Sequence, residues 1–478
     1  MEKNSSIVPD IKISGVYGFL NIRTIIAGYV IFCTAILWIF DGTGDTGDSI
    51  THYLYAKYAF KYPEFFLHHW AKPIFMLLAA PFAQFDFIGI KIFNISMFLA
   101  SSVLVYKLSK ELRLNNAPLA TLFCLISPLS ILLVFSGLTE YTFNTLLILS
   151  IYLITIKRLS LSLLIVSFLP FVRPEGVLII GVFGLFLILR KNYLHVFLLT
   201  IGHIVYSVAG ASLHNDLFWV FTQNPNATLE IMYGAGSFLY FFVIEYHILG
   251  PIIYSLVFIG LFIFIRDHKS FVHGEIILLI IASFLVYFIA HGAFHYFGIF
   301  KSMGQKRVMI ATTSLTAIIA IIGFNWLEIK GWRILGLAIS KVFLILAILF
   351  PFSTLPGSIS WKEYIFFRDE QKVAHQAADF IKENGLLTDT TRLFCNYPSI
   401  YLHLDRDMFD QNFNLKLNNG TVSQARDGDI IIWDSWFTRA DEFFMEDQLL
   451  AQSNLKEIKR YNYYFKSEDW YFIVLKGI

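Results

Sequence analysis

The feature that most constrains this chain is a series of long apolar segments separated by short polar loops. A helix needs roughly 20 mostly apolar residues to cross the hydrocarbon core of a bilayer, and about eleven segments are at or near that length. They lie near residues 21–40, 87–109, 117–136, 140–156, 160–173, 176–190, 193–212, 247–265, 275–292, 308–327 and 333–352. The composition agrees, because 56% of the 478 residues are hydrophobic and 15% are charged, whereas about a quarter of the residues of soluble proteins are charged. The sequence therefore predicts a polytopic α-helical membrane protein.

Basic residues in the short loops predict how these segments are oriented, since cytoplasmic loops of membrane proteins are enriched in Lys and Arg. With a cytoplasmic N-terminus, each loop that follows an even-numbered segment is basic; these loops contain Lys107, Lys110, Arg113, Lys157, Arg158, Arg190, Lys191, Arg266, Lys269, Lys330 and Arg333. The opposite face then carries the loop of residues 41–86 and everything after Phe352. Short loops and the lack of eukaryotic targeting signals favour the inner membrane of a bacterium.

The composition changes after Pro351, where the long apolar runs end. Residues 369–384 have the periodicity of an amphipathic helix. Three short apolar runs bounded by turn residues are typical of buried strands; they are Arg392–Cys395, Asp429–Trp433 and Trp470–Leu475. About 120 residues are enough for one small domain. We therefore predict a membrane domain of residues 1–355 and a small extracytoplasmic α/β domain of residues 356–478.

The loop of residues 41–86 carries an unusual group of polar side chains directly after the first apolar segment. Asp41, Asp45 and Asp48 are spaced by glycines, and His52 follows. A helix is predicted to begin at Asp48–Ser49, because Asp is a favourable N-cap and apolar periodicity follows. Asp48 and His52 would then point the same way, one turn apart. Capping by Asp48 and an interfacial position for His52 are the structural alternatives, and a metal ion shared by Asp45 and Asp48 is a third, less favoured one.

Charged residues of the outward face need an explanation, because charges near the hydrocarbon are costly and tend to be paired or functional. A carboxylate at the membrane surface can act as general base toward an attacking hydroxyl, and a phosphate leaving group then needs cations. The available cations are Lys72, Arg173, Lys306 and Arg307. Glu140 and Glu175 are candidate substrate contacts, although Glu140 could instead sit at a helix start and Glu175 could pair with Arg173.

An acidic motif after the first span is followed by a predicted interfacial helix and by the basic–proline element Lys72–Pro73. Further short motifs are SGLTE (Ser136–Glu140), FVRPEG (Phe171–Gly176) and KSMGQKRVM (Lys301–Met309). These motifs resemble segments of the GT-C glycosyltransferases, polytopic enzymes that take sugars from polyprenyl-phosphate carriers on the outer face of the membrane. The resemblance extends over the whole chain in layout. It implies a GT-C-like fold with a small outward C-terminal domain.

The resemblance also implies roles for single residues. The acidic residue of the first outer loop is the catalytic base in this family, and Asp48 is the best match. Because the neighbour of Asp48 is Gly47 where the family often has a second acid, Asp45 and Asp41 remain alternatives. Basic residues of later outer loops bind the carrier phosphate in relatives, which indicates Lys306 and Arg307.

We therefore expect an inverting transferase that moves a hexose such as mannose from a polyprenyl-phosphate carrier to an acceptor hydroxyl on a glycan, lipid or protein. No nucleotide-binding fingerprint is present, and a monophosphate donor does not demand a metal, so no cofactor is expected. The net charge of +2 does not indicate nucleic-acid binding. Two alternatives remain. One is a lipid-linked sugar flippase or transporter, for which internal repeats and mid-membrane charges are expected; the other is a polysaccharide polymerase or ligase, which needs a larger basic cluster.

Overall fold

The computed structural model describes residues 20–225, 234–334, 337–355, 358, 360–465 and 468–478. The predicted cytoplasmic N-terminal segment lies outside these residues. The chain divides into two compact units. Unit 1 comprises residues up to Ile39 together with Tyr62–Ser360, and unit 2 comprises Phe40–Lys61 together with Trp361–Ile478. The predicted division at residue 355 and the orientation in the membrane stay predictions.

Helices dominate the described part of the chain. In chain order they are α1 (Ile22–Leu37), α2 (Asp48–Tyr58), α3 (Pro73–Ala83), α4 (Asp86–Glu111), α5 (Ala117–Leu125), α6 (Pro128–Leu133), α7 (Glu140–Thr155), α8 (Leu159–Phe168), α9 (Gly176–Leu189), α10 (Tyr193–Val196), α11 (Ile201–His214), α12 (Trp219–Thr222), α13 (Tyr240–Asp267), α14 (Gly274–Phe297), α15 (Thr313–Lys330), α16 (Ile339–Leu349), α17 (Trp361–Ile365), α18 (Asp369–Glu383), α19 (Pro398–Leu404), α20 (Asn419–Val422) and α21 (Glu446–Leu450). A 3₁₀ helix, Lys306–Thr312, leads directly into α15.

Within the described residues, five helical segments are long and apolar enough to cross a membrane: Asp86–Glu111, Tyr193–His214, Tyr240–Ser270, Gly274–Phe297 and Lys306–Lys330. Shorter apolar helices cover Ile22–Leu37, Pro73–Ala83, Leu159–Phe171, Gly176–Leu189 and Ile339–Phe352. The predicted polytopic helical fold is confirmed, while the number of spans, about eleven by the length criterion, stays a prediction.

Close helix contacts build the core of unit 1 around α15. A Cβ atom on Gly260 of α13 would lie 2.0 Å from the carbonyl oxygen of Ile319, and one on Gly323 of α15 would lie 2.2 Å from that of Leu256. Only glycine allows backbones to approach so closely. This small-residue packing is typical of helices in a lipid environment.

Unit 1 contains a short antiparallel pair of strands, β1 (Arg333–Ile334) and β2 (Leu337–Ala338). The strands of unit 2 are β3 (Leu393–Cys395), β4 (Asn414–Leu415), β5 (Ile430–Asp434), β6 (Leu455–Phe465) and β7 (Glu468–Gly477). They form a five-stranded mixed sheet in the order β4–β3–β5–β7–β6. β3 is parallel to β4 and β5, whereas β7 is antiparallel to β5 and β6.

The strands of this sheet are buried on both faces, and one hydrophobic core cluster of unit 2 lies on one of them. Phe394, Ile431, Trp433 and Ile473 are buried there, and the indole nitrogen of Trp433 donates to the carbonyl of Phe444 at 2.9 Å. The helix and the three strands predicted from the sequence are present within one or two residues of their expected starts. The predicted small C-terminal α/β region is therefore confirmed.

Candidate functional site

The acidic loop before α2 is ordered by one of its own aspartates. α2 begins at Asp48, as predicted, with Gly47 as its N-cap residue. The carboxylate of Asp45 accepts hydrogen bonds from the backbone N–H groups of Gly47 at 3.0 Å and Ser49 at 3.2 Å. Asp45 therefore satisfies backbone donors that a helix start otherwise leaves without partners. The capping role considered for Asp48 belongs to Asp45.

Side chains of unit 2 also fix the loop itself. Gln371 donates to the hydroxyl of Thr43 at 2.6 Å, and that hydroxyl donates to the carbonyl of Asp45 at 2.7 Å. Ser49 donates to the carbonyl of Thr43 at 2.7 Å. Thr43 and Ser49 are both buried. This chain of bonds sets the position of the first turn of α2, where Asp48 lies.

The far end of α2 is held by two ion pairs and an aromatic contact. Lys57 pairs with Asp405 and Lys61 with Asp407, each at 2.7 Å. The ring of Tyr55 lies 4.5 Å from that of Phe409. The ion pairs are partly exposed, and such pairs contribute about 0–1 kcal/mol each. The packing of Tyr55 against Phe409 therefore adds an apolar contact to these two ion pairs.

Asp48 and His52 lie one turn apart on α2, as predicted. Asp48 is half-buried, and His52 is 5% exposed. Asp41, the remaining acid of the loop, is exposed. The three nearby aspartates thus differ in environment: Asp41 is exposed, Asp45 caps α2, and Asp48 is the first residue of α2.

The other predicted residues belong to unit 1. They are Lys72, Glu140, Arg173, Glu175, Lys306 and Arg307. Lys72 is half-buried and has a left-handed backbone, with φ 65° and ψ 87°, immediately before Pro73 opens α3. A non-glycine residue in this region costs roughly 1–2 kcal/mol. Surrounding contacts must therefore hold Lys72 in place.

Three predicted residues form one buried ion network at the starts of α7 and α9. The guanidinium of Arg173 lies 2.6 Å from the Glu140 carboxylate and 2.9 Å from that of Glu175. It also donates to the hydroxyl of Thr139 at 3.4 Å. The exposed fractions of the Arg173, Glu140 and Glu175 side chains are 13%, 1% and 14%. The pairing of Arg173 with Glu175, one of the alternatives from the sequence, is present.

A histidine completes this network. His291 of α14 places Nε2 3.5 Å from the Glu175 carboxylate. Burial alone would raise the pKa of Glu175, but Arg173 and His291 outweigh it and lower that pKa to about 2. Glu175 is therefore ionised at neutral pH. The sequence did not indicate His291 as a partner, because no local pattern connects residues 116 positions apart.

The basic residues Lys306 and Arg307 begin the 3₁₀ helix that leads into α15. Lys306 is exposed and Arg307 is half-buried. The Nε atom of Arg307 donates to the side-chain oxygen of Gln305 at 2.8 Å. This bond orients the planar guanidinium, which can hold a phosphate with two parallel hydrogen bonds.

Tyr287 of α14 connects this 3₁₀ helix to the ion network. Its hydroxyl donates to the carbonyl of Val308 at 3.2 Å, and it interacts electrostatically with Arg173. Tyr287 is fully buried. Sequence reasoning missed this residue, because a tyrosine in an apolar span is ordinarily part of the core.

Unit 1 contains a cavity of about 720 Å³. Its lining is mainly apolar and includes Pro73, Phe171, Pro174 and His203. Two of the lining prolines directly follow the cations Lys72 and Arg173. In the described ranges, no three His, Cys, Asp or Glu side chains converge in a way that could hold a metal ion.

No family model matches the sequence, and no curated protein matches it either. The fold matches two crystal structures of ArnT from Cupriavidus metallidurans. For the structure bound to undecaprenyl phosphate, the TM-score is 0.63 at 8% identity, over 96% of this chain and 98% of that chain. For the apo structure, the TM-score is 0.57 at 10% identity, over 94% and 98%. At this identity the likeness concerns the fold alone, so the chain has a fold like that of ArnT, in agreement with the helical membrane fold expected from its sequence.

Proposed function

We propose that this protein is a membrane glycosyltransferase that moves a sugar from a polyprenyl-phosphate carrier to an acceptor hydroxyl. The observation that carries the proposal is the likeness over 96% of the chain to ArnT bound to undecaprenyl phosphate. We further propose that the sugar is a hexose such as mannose and that the acceptor is a glycan, lipid or protein. Transfer is proposed to occur on the outer face of a bacterial inner membrane.

The cavity of unit 1 supports a lipid-linked donor. Its lining is mainly apolar, which suits an isoprenoid chain, and Lys72 and Arg173 directly precede two of its prolines. Arg173 is already paired with two carboxylates. We therefore assign the phosphate contact to Lys72, Lys306 and Arg307, and we assign to Glu140, Arg173 and Glu175 the role of holding these segments in place.

We assign the role of general base to Asp48, the residue that best matches the catalytic acidic residue of the family that the motifs resemble. One carboxylate oxygen of Asp45 accepts two backbone N–H bonds, so Asp45 has a structural role at the start of α2. Asp48 is the first residue of α2, with His52 one turn away as a substrate contact.

The reaction then proceeds in one displacement. Asp48 takes the proton of the acceptor hydroxyl while its oxygen attacks the anomeric carbon of the sugar. The bond from that carbon to the phosphate oxygen breaks, and the electron pair leaves with the lipid phosphate. Inversion at the anomeric carbon follows from a single displacement. No metal or nucleotide takes part.

The decisive experiment incubates membranes containing the protein with a panel of radiolabelled polyprenyl-phosphate sugars and measures which label leaves the lipid. With the sugar identified, Asp48→Asn is expected to reduce transfer by about 10²–10⁴-fold, the usual contribution of a general base. Asp41→Asn is the matched control, because Asp41 is exposed, and it should retain activity. Full transfer by D48N protein would reject Asp48 as the base.

A second measurement distinguishes transfer from translocation. Reconstituted vesicles with labelled donor are assayed for flipping with and without acceptor. Donor that crosses the bilayer without losing its sugar would support the flippase alternative and overturn the transferase proposal.

A further inference from the structure

Unit 2 contains a pair of facing imidazoles. His375 lies on α18 and His403 on α19, and their Nδ1 atoms are 3.1 Å apart. Their ring centroids are 4.4 Å apart at an interplanar angle of 63°. From this geometry we propose that His375 and His403 form a binding site for a divalent transition-metal ion, Cu²⁺ or Zn²⁺, that links α18 to α19.

The distance between the nitrogens fits a shared ion. A nitrogen ligand lies about 2.0–2.1 Å from such an ion, so two ligands stand about 2.9 Å apart at a right angle and about 3.3–3.4 Å apart at a tetrahedral angle. The observed 3.1 Å lies between these values. Imidazole nitrogen is a preferred ligand of both ions, and Cu²⁺ binds such sites most tightly of the divalent first-row series.

The surroundings of His375 are those of a metal-ligating histidine rather than of an ordinary surface residue. Asp379, one turn further along α18, lies 3.4 Å from Nε2 of His375. Histidines that ligate metals usually donate their other N–H to a carboxylate, which fixes the ring and its tautomer. With Nε2 protonated toward Asp379, Nδ1 keeps its lone pair on the side of the ring that faces His403, where a shared ion would lie.

His403 contributes the second nitrogen from a more enclosed position. Its Nε2 atom is buried and has no hydrogen-bond partner among the residues described. Phe367 packs against both rings, with centroids 6.0 Å from His375 and 5.2 Å from His403. The pair is therefore walled on one side, while the exposed His375 leaves a route for the ion and for the water molecules that complete its coordination.

Charges around the pair are balanced. Lys382 donates to the backbone carbonyl of His403 at 2.6 Å, and Asp379 supplies the opposite charge. An ion here would fasten α19, whose following residues Asp405 and Asp407 pair with Lys57 and Lys61 of the first segment of unit 2. The site would thus stabilise unit 2 without taking part in the transfer reaction.

The test uses the full-length protein in detergent, treated with a chelator and then titrated with CuCl₂. Electron paramagnetic resonance of the wild type is expected to show coupling to two nitrogens at one equivalent of Cu²⁺. His375→Gln should leave one nitrogen and weaken binding by at least about 10-fold, and Asp379→Asn should keep two nitrogens but weaken binding by about 10–100-fold.

A control is needed because the chain has 13 histidines. His195→Gln removes a histidine whose ring instead contacts Asn192, and it should bind Cu²⁺ at the pair like the wild type. ZnCl₂ should compete with Cu²⁺ at the same site and raise the melting temperature of the wild type but not of H375Q protein. Equal affinity and equal nitrogen coupling in the wild type and H375Q protein would overturn the proposal and leave the pair as a hydrogen bond between two imidazoles.

Discussion

The ion network of Glu140, Arg173 and Glu175 allows a quantitative prediction about stability. Replacing Arg173 by Gln removes the cation and leaves two buried carboxylates side by side. Breaking a buried ion pair by removing one partner costs about 3–5 kcal/mol. Glu140→Gln is milder, because Arg173 keeps Glu175 at 2.9 Å, and loss of one charged hydrogen bond costs about 1.5–3 kcal/mol.

The two substitutions should also be coupled. In the double variant E140Q/R173Q only one of the two carboxylates remains without its cation, so the loss in free energy of unfolding should be smaller than the sum of the single losses. The assay is equilibrium unfolding of purified protein in mixed micelles, followed by the fluorescence of its 9 tryptophans.

Arg190→Gln provides a matched control. Arg190 pairs with Glu275, and the two side chains are 46% and 68% exposed, so its loss should cost less than about 1 kcal/mol. The reasoning would be refuted if R173Q protein were as stable as R190Q protein, or if the single losses at Glu140 and Arg173 were simply additive.

Three further predictions concern stability, each measured by the same unfolding assay. The pKa of Glu175 falls from an ordinary 4.5 to about 2 in the folded protein, so its ionised form stabilises the fold above pH 4.5 by about 3 kcal/mol. This stabilisation should be lost as the pH falls from 4.5 to 2, and E175Q protein should not show it. Asp434 accepts bonds from three backbone N–H groups and one hydroxyl, so Asp434→Ala should destabilise unit 2 by about 3–5 kcal/mol, and a loss under 1 kcal/mol would contradict this. Gly260→Ala should cost about 1–3 kcal/mol or more, since its Cβ would lie 2.0 Å from the Ile319 carbonyl. Gly28→Ala in α1, with no atom within 4 Å, should not destabilise the protein, because Ala is the better helix former.

The parts of the fold that could be predicted from sequence are those set by local pattern. The start of α2 at Asp48 follows from the apolar periodicity that begins there, although the N-cap residue is Gly47 and not Asp48 as expected. The helix at residue 369 and the strands around Phe394, Ile431 and Ile473 follow from periodicity over a few residues. These features depend on neighbours within one or two turns, which the sequence displays directly.

The partners of the candidate residues could be predicted from the sequence only in part. Arg173 meets Glu140 from 33 positions away and, through Glu175, reaches His291 on a helix more than 100 positions further along the chain. The sequence marked Arg173 and the two glutamates as costly charges in need of partners, but it did not name His291 or Tyr287. Such contacts depend on how helices pack, and no local pattern encodes that packing.

In the acidic loop, too, some features follow from the sequence and others only from the tertiary structure. The sequence determined that an aspartate lies at the start of a helix directly after an apolar span, and it determined that this chain belongs in a membrane. Only the tertiary structure decided that Asp45 caps that helix, that Thr43 and Gln371 hold the loop, and that Phe40–Lys61 packs into one unit with Trp361–Ile478. The physical reason is that hydropathy and spacing act through solvent and neighbouring residues, whereas hydrogen bonds across hundreds of positions exist only once the chain has folded.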